Sequence, residues 1–354
     1  MKVGITGIAG YLGTLLSRQL VRERTIESVT GIDLREPSFR HEKIRFVKCD
    51  IRDHALAPAL AGCDTIVHLT FVVQEIRDKK LIYDISLNGT KNLLGACGAI
   101  MPRKLVVASS VAAYGCVQRS GAITEDTELR GNKGSYYADT KRRVEGMLDD
   151  FEKSNPGIIV TRMRPSIFCG RNINNFFKDT VRLPVITYVR GNTYGLPLVY
   201  EGDVAGAFCT VILEDHPGAF NIHAGSLTVQ RMSKILGKRT IGLPYRLART
   251  IADLGFGLGI MRFSSHWVEL ARYPMDIRAE KAERELHWRP TKTPEQAFVE
   301  MLDSLKGRRE GGTHEGRRAA PVSGFCRQVH EGGDDVPPGR TGSLSAERPA
   351  LFCP

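Results

Sequence analysis

The chain has 354 residues, of which 42% are hydrophobic and 25% charged, the balance of a soluble globular enzyme with room for about two domains. Its 50 Lys and Arg against 39 Asp and Glu leave a net charge of +11. The basic residues are scattered among acids and form no run, which favours an anionic small-molecule ligand and argues against nucleic acid as a partner.

Apolar spacing predicts strands over 2–6, 29–33, 44–49, 65–69, 104–109 and 157–162, with helices between them over 11–23, 54–61, 79–97 and 136–154. Strands that alternate with helices and are apolar on both faces predict an α/β fold, a doubly wound parallel sheet covered on both sides. From about residue 167 the alternation loosens. Loops rich in Asn, Gly and Pro carry a helix over 201–214, a strand over 218–224 and helices over 228–237 and 293–305. These segments predict a smaller C-terminal lobe folded against the sheet and partly interleaved with it. Residues 307–354 hold nine Gly, five Pro and seven Arg without apolar periodicity, and a disordered tail is expected there. The domain reading is therefore 1–166, 167–306 and 307–354.

The eight cysteines, at 49, 63, 97, 116, 169, 209, 326 and 353, form no C-x-x-C pair and have no His at zinc spacing. Reduced core thiols are expected, and no metal. Met1-Lys2 run straight into a strand pattern, which leaves no space for a signal peptide. The apolar stretch 251–261 is only 11 residues long and contains Asp253, too short and too interrupted to span a bilayer. It is expected to pack in the core or line an apolar pocket. A cytoplasmic location follows as the expectation.

Three glycines, Gly7, Gly10 and Gly13, follow the first strand and open the first helix. A tight turn there needs a residue without a Cβ, close approach of a pyrophosphate to backbone N–H groups needs another, and helix-on-strand packing a third. Asp33 closes the second strand 20 residues after Gly13. A carboxylate there accepts both ribose hydroxyls of an adenosine and repels a 2′-phosphate, which favours NAD over NADP. Arg35, two residues on, would tolerate NADP. Asp50 and Ile51 end the third strand, where the carboxylate is placed to meet an adenine amino group or to serve as a turn residue.

At the other end of the site, Ser110 finishes the run Leu105-Val-Val-Ala-Ser-Ser110. That is the carboxyl edge of the sheet, where open α/β proteins bind ligands. Tyr137 and Lys141 are four apart and share a helix face. A nearby ammonium is expected to lower the phenol from its ordinary value of about 10, so that it can move a proton on or off a hydroxyl. The rival phenol, Tyr136, has Thr140 at i+4 and gains no charge. Asn88 precedes the fifth strand, where a buried amide is placed either to hold a water that relays protons to Lys141 or simply to pack.

In order along the chain stand Thr6-Gly-x-x-Gly-x-x-Gly13, Asp50-Ile-Arg-Asp53, His68-Leu, Asn88-Gly-Thr-Lys-Asn-Leu-Leu94, Ser109-Ser-Val-Ala-Ala-Tyr-Gly115, Tyr137-x-x-x-Lys141 and Arg164-Pro-Ser-Ile-Phe-Cys-Gly170. This series resembles the extended short-chain dehydrogenase/reductase family, in its NAD-dependent epimerase/dehydratase branch, over residues 1 to about 306. Within that branch it is most similar to proteins described as UDP-glucose 4-epimerase-like. The resemblance implies a Rossmann domain and a catalytic set of Ser110, Tyr137 and Lys141 with Asn88 as fourth member. It also implies NAD contacts from Gly7, Ile8, Ala9, Gly10, Tyr11, Leu12, Gly13, Asp33, Arg35, Asp50, Ile51, Leu69 and Pro165, joined by Tyr137 and Lys141. A homodimer is the family expectation.

Two departures narrow the reading. The branch's 4,6-dehydratases carry an Asp-Glu pair directly after the catalytic hydroxyl residue. Val111 and Ala112 stand there in this chain, which argues against elimination of water. Where sugar-nucleotide epimerases place an Asn near the diphosphate, this chain has Ile167, with Asn172, Asn174 and Asn175 downstream as substitutes. Asp203, in Val199-Tyr-Glu-Gly-Asp-Val-Ala205, reads as a helix N-terminal residue. The implied activity is epimerisation of a nucleotide sugar through a transient ketone, with Arg171, Lys178, Arg182 and Arg190 as candidates to neutralise a diphosphate. The alternatives are an NAD(P)-dependent oxidoreductase of a hydroxysteroid-like secondary alcohol and a non-catalytic cofactor-sensing regulator.

Overall fold

The computed structural model describes residues 1–310 apart from 133–134, 174–183, 192–193 and 270–271, with the backbone alone for 306–310. In chain order the strands are β1 (Lys2–Thr6), β2 (Ser28–Asp33), β3 (Ile44–Lys48), β4 (Thr65–His68), β5 (Lys104–Ala108), β6 (Ile159–Pro165), β7 (Ile167–Cys169), β8 (Val185–Val189), β9 (Leu196–Tyr200), β10 (Gly218–Ile222), β11 (Gly225–Leu227) and β12 (Arg239–Leu243). The helices are α1 (Tyr11–Leu20), α2 (Leu56–Leu60), α3 (Lys79–Tyr83), α4 (Gly89–Ile100), α5 (Tyr136–Ser154), α6 (Glu201–Leu213), α7 (Val229–Leu236), α8 (Tyr245–Gly257), α9 (Ser265–Glu269), α10 (Glu280–Glu285) and α11 (Pro294–Glu310). A π turn (Asp84–Asn88) joins α3 to α4, and a 3-10 turn (Val111–Tyr114) follows β5.

Seven strands form one parallel sheet in the order β10-β6-β5-β4-β1-β2-β3. The order reverses between β1 and β4, which opens a crevice at the carboxyl ends of those strands. Every residue of β4 and β5 is buried, because helices cover both faces. Helices α1 and α6 pack together on one side, and α2, α4 and α5 pack on the other. Lys104 is buried in β5, and its ammonium donates to Val211 O at 2.9 Å and Ile212 O at 3.1 Å. A cation thus meets the last carbonyls of α6, as the helix dipole favours, and fixes that helix to the sheet.

A second apolar cluster holds Cys169, Ile173, Leu198, Leu227, Met232, Phe298, Met301 and Leu302. It lies between the small sheet β11-β9-β7 and helices α7 and α11. Strand β10 comes from this later half of the chain but pairs with β6 in the large sheet, so the two parts interleave.

Several boundaries move from the sequence expectation. The sixth strand starts at Ile159, not 157, because Ile158 N donates to Asn155 O in a turn. Strands β7, β8, β9, β11 and β12, of three to five residues, were not expected; they lie where Asn, Gly and Pro interrupt the apolar spacing. The helix expected over 79–97 runs on to Ile100 and contains the π turn. Residues 307–310, expected in a disordered tail, close α11 as helix; the rest of that expected tail, 311–354, lies outside the described residues. Among the described residues no helix is long and apolar enough to cross a membrane, and the six described cysteines are free and buried.

Candidate active site

The glycine turn behaves as its spacing requires. Gly7 has φ +79°, and a Cβ on it would meet Leu69 C at 3.0 Å and Thr70 N at 3.1 Å. A Cβ on Gly13 would sit 2.3 Å from Gly7 O. Helix α1 starts from Gly10 with no side-chain cap and no acid in its first turn. Its leading N–H groups and the positive end of its dipole suit an anion such as a diphosphate. Ile8 and Leu12 are core residues, so only their backbones serve the loop.

Asp33 ends β2 beside this loop. One carboxylate oxygen accepts from Ala9 N and the other from Arg35 N, each at 3.0 Å. The residues therefore fit a dinucleotide: an uncapped helix start for the pyrophosphate and a fixed carboxylate for an unphosphorylated ribose. Asp50 is held by Arg52, whose Nε and Nη2 donate to it at 2.9 and 2.6 Å, and Ile51 packs over Gly89. Leu69 N donates to Thr6 O at 3.0 Å, which sets the floor between β1 and β4. Pro165 ends β6 opposite Ile222.

At the reacting end, Ser135 Oγ caps α5 by accepting from Ala138 N, and the first two turns of α5 carry Tyr137 and Lys141. The Ser110 side chain stands close enough to the Tyr137 phenol to lower its pKa, so helix and strand end bring the two hydroxyls together. Burial pushes the Tyr137 phenol above its ordinary value, and Ser110 opposes that rise. The expectation that Lys141 lowers it is corrected here. The Lys141 ammonium donates to Ala108 O at 2.6 Å, lies 3.1 Å from the Phe71 ring centroid and stays 5.9 Å from the Tyr137 ring centroid. In this arrangement burial sets the direction of the shift.

Asn88 requires a second correction. Its side chain is exposed and Nδ2 donates to Asp84 Oδ1 at 2.7 Å, so it holds no buried relay to Lys141. The π turn directs Ile85, Ser86 and Leu87 inward instead. Ser86 Oγ is buried without a hydrogen-bond partner, a polar group of the kind the sequence expectation had placed at Asn88.

A supporting network escaped the sequence reading. Glu145, fully buried two turns beyond Tyr137, accepts from Ser109 Oγ at 2.5 Å and from Arg164 Nε and Nη2 at 2.8 and 2.9 Å. Arg164 Nη1 donates to Tyr114 Oη at 2.8 Å, and Tyr114 donates to Asn221 Oδ1 at 2.8 Å. Burial raises the Glu145 carboxyl, but the Arg164 guanidinium prevails and holds it below the ordinary range. Tyr114 is pushed up to about 12 by burial against the pull of Arg164. The Arg164-Pro motif and the i+8 spacing of Glu145 from Tyr137 were the available signals. Trp267 stacks on Tyr137 with ring centroids 6.1 Å apart and planes 22° apart; its position far along the chain gave no signal. His68 bridges Thr6 Oγ1 at 2.9 Å and Thr90 Oγ1 at 3.0 Å. Burial and then Lys141 lower it to about 3, so it is a neutral strut.

Other candidates are engaged elsewhere. Asn172 donates from Nδ2 to Glu201 Oε1 at 2.6 Å, and Tyr11 donates to the same carboxylate. Asp203 accepts from Thr291 N at 2.9 Å and Thr291 Oγ1 at 2.5 Å, which is structural. Arg171 pairs with Glu300 at 2.8 Å, and Arg190 reaches Gly242 O at 3.4 Å. Asn174, Asn175, Lys178 and Arg182 lie outside the described residues.

An uncharacterised protein of Sinorhizobium fredii is 26% identical over 333 residues, covering 90% of this chain and 82% of that protein. The N-acetyl-alpha-D-glucosaminyl-diphospho-ditrans,octacis-undecaprenol 4-epimerase of Escherichia coli O157:H7 is 28% identical over 207 residues, 56% of this chain and 60% of that one. The crystal structure of UDP-glucose 4-epimerase with UDP-glucose from Thermotoga maritima shares the fold, with TM-score 0.67 and 18% identity over 87% of this chain and 99% of that chain. The model of the NAD dependent epimerase/dehydratase family matches residues 3–222, more than half of the sequence, and the chain belongs to that family.

Proposed function

We propose that the chain is an NAD-dependent epimerase of a nucleotide sugar, a UDP-hexose 4-epimerase-like enzyme working through a transient ketone. The observation that carries the reading is the Ser110–Tyr137 hydroxyl pair at the carboxyl edge of the sheet, with Lys141 on the same helix face. In this reading residues 1–166 bind NAD and 167–306 bind the sugar, and NAD supplies a reversible hydride acceptor beside the hydroxyl pair. Tyr137, as the phenolate that the positive charges of bound NAD and Lys141 would favour, takes the proton from the sugar hydroxyl and returns it, and Ser110 holds the oxygen as it becomes a carbonyl. Lys141 is fixed by Ala108 O and binds the cofactor ribose through its ammonium. The two positions after Ser110 are buried Val111 and Ala112, so the site has no acid there for eliminating water.

The second reading, an NAD(P)-dependent oxidoreductase of an apolar secondary alcohol, is favoured by the aromatic walls that Trp267 and Phe71 set around Tyr137 and Lys141. A single assay separates the two. Purified protein is incubated with UDP- and dTDP-hexoses without added NAD, and the products are resolved by NMR. C4 inversion supports the epimerase. No inversion across the panel, with steady NADH release from a non-nucleotide alcohol, rejects it in favour of the oxidoreductase.

A further inference from the structure

Helix α8 is apolar on two opposite sides. Its inner side packs on α9 and the start of α3: Ala252 is buried and the Phe256 ring lies 4.9 Å from the Lys79 ammonium. The outer side carries Leu247, Ile251, Leu254 and Leu258, spaced four, three and four apart. At 100° per residue these fall within an arc of roughly 60°. All four are exposed, Leu254 at 62% and Leu258 at 73%, and Ile260 in the next turn is exposed at 77%. The stretch expected to fill the core or line a pocket thus faces outward. Five of the ten exposed large apolar residues among those described fall in these 14 positions, a concentration that scattered surface leucines do not produce.

The segment that carries the stripe is basic. Residues 245–263 contain Arg246, Arg249 and Arg262 against one acid, Asp253; by the same 100° spacing Arg246 flanks the stripe, whereas Arg249 falls on the opposite side, over the Tyr245 ring. Asp253 turns back to accept from Ser265 N at 2.9 Å. Arg77 adds a guanidinium at the end of the helix, donating to Gly257 O at 2.9 Å.

From this charge pattern we infer that α8 and the turn to Ile260 dock in the plane of an anionic phospholipid bilayer. Leucine and isoleucine enter the interface while the arginines meet lipid phosphates. The helix is too short to span, which suits a surface element. A second copy of the chain fits this face less well, because an antiparallel two-fold pairing would set the flank that carries Arg246 and Arg77 against its own copy. Helix α9, which follows directly, carries Trp267 against Tyr137, so the docking face adjoins the candidate site.

The test is co-sedimentation of the full chain with phosphatidylglycerol–phosphatidylcholine vesicles and with phosphatidylcholine alone, beside light-scattering mass measurement without lipid. Binding is expected with the anionic vesicles, weakened by raised salt. Leu254→Asp with Leu258→Asp should weaken it about tenfold or more, and Arg246→Glu with Arg77→Glu should also weaken it. Circular dichroism and NAD binding of the variants establish that they remain folded. Absence of binding to anionic vesicles overturns the inference. So does an unchanged affinity in the folded Leu254→Asp/Leu258→Asp variant. A wild-type dimer that this variant converts to monomer, with no vesicle binding, assigns the face to a second copy instead.

Discussion

Ser109 donates its hydroxyl to Glu145 at 2.5 Å, which ties the end of β5 to the helix that carries Tyr137 and Lys141. The next residue after Ser109 is Ser110, so this bond and the Arg164 pair fix where the candidate hydroxyl stands relative to the phenol. Catalytic hydroxyls need placement within fractions of an ångström, and the Glu145 network gives a rigid, buried reason for that placement.

Replacing Glu145 by Ala leaves the buried Arg164 guanidinium without its partner. Breaking a buried pair in this way costs about 3–5 kcal/mol, and thermal unfolding should register the loss. The same carboxyl gives a pH dependence. Its folded value lies below the ordinary glutamate range, so the stability it contributes is present above the unfolded value of about 4.3 and is lost as pH falls through the folded value. Wild type should lose stability in that acid window more steeply than Glu145→Gln. Parallel acid slopes for the two proteins would contradict the assignment.

Tyr137→Phe should lower turnover by about a hundredfold to ten-thousandfold, the usual weight of a general acid or base, while NAD binding by calorimetry stays unchanged. Because burial raises the phenol, the cofactor-free protein should show no phenolate absorbance from Tyr137 below pH of about 10. The difference spectrum against Tyr137→Phe reads this directly, and a phenolate step near neutrality would show that another charge acts on the residue.

Gly13→Ala places a Cβ 2.3 Å from Gly7 O, whereas a Cβ on Gly95 would meet nothing within 4 Å. Overpacking of this kind costs about 1–3 kcal/mol, so NAD affinity of Gly13→Ala should fall about tenfold to a hundredfold. Gly95→Ala, in the middle of α4, should keep wild-type affinity and gain slightly in stability. Equal NAD affinities for the two variants would remove the glycine turn from the cofactor site.

Asn88→Ala should leave turnover within about twofold, since exposed positions of this kind are energetically quiet, and its side chain bonds back to Asp84. Ser86→Ala removes a buried hydroxyl with no partner, so stability should hold or rise. A fall in kcat for Ser86→Ala without a fall in melting temperature would assign the relay to Ser86. A large kcat loss in Asn88→Ala would restore Asn88 to that role.

The sheet, its helices, the glycine turn and the shared face of Tyr137 and Lys141 were legible in the sequence. Each is written in local spacing: a period of two or of 3.6, glycines on a strand-to-helix turn, an i+4 pair. Strand β7 and its neighbours were not, because Asn, Gly and Pro interrupt the apolar spacing around them. Tertiary structure alone decided that Asn88 faces solvent and Ser86 the interior, since the π turn shifts the register that helical spacing assumes. It also decided that Glu145, Arg164 and Ser109 meet, and that α8 shows an apolar face to the outside. Desolvation set the direction of the Tyr137 shift. Burial and contacts across distant segments arise only when the chain closes on itself, and those terms, unlike periodicity, have no local signature for the sequence to display.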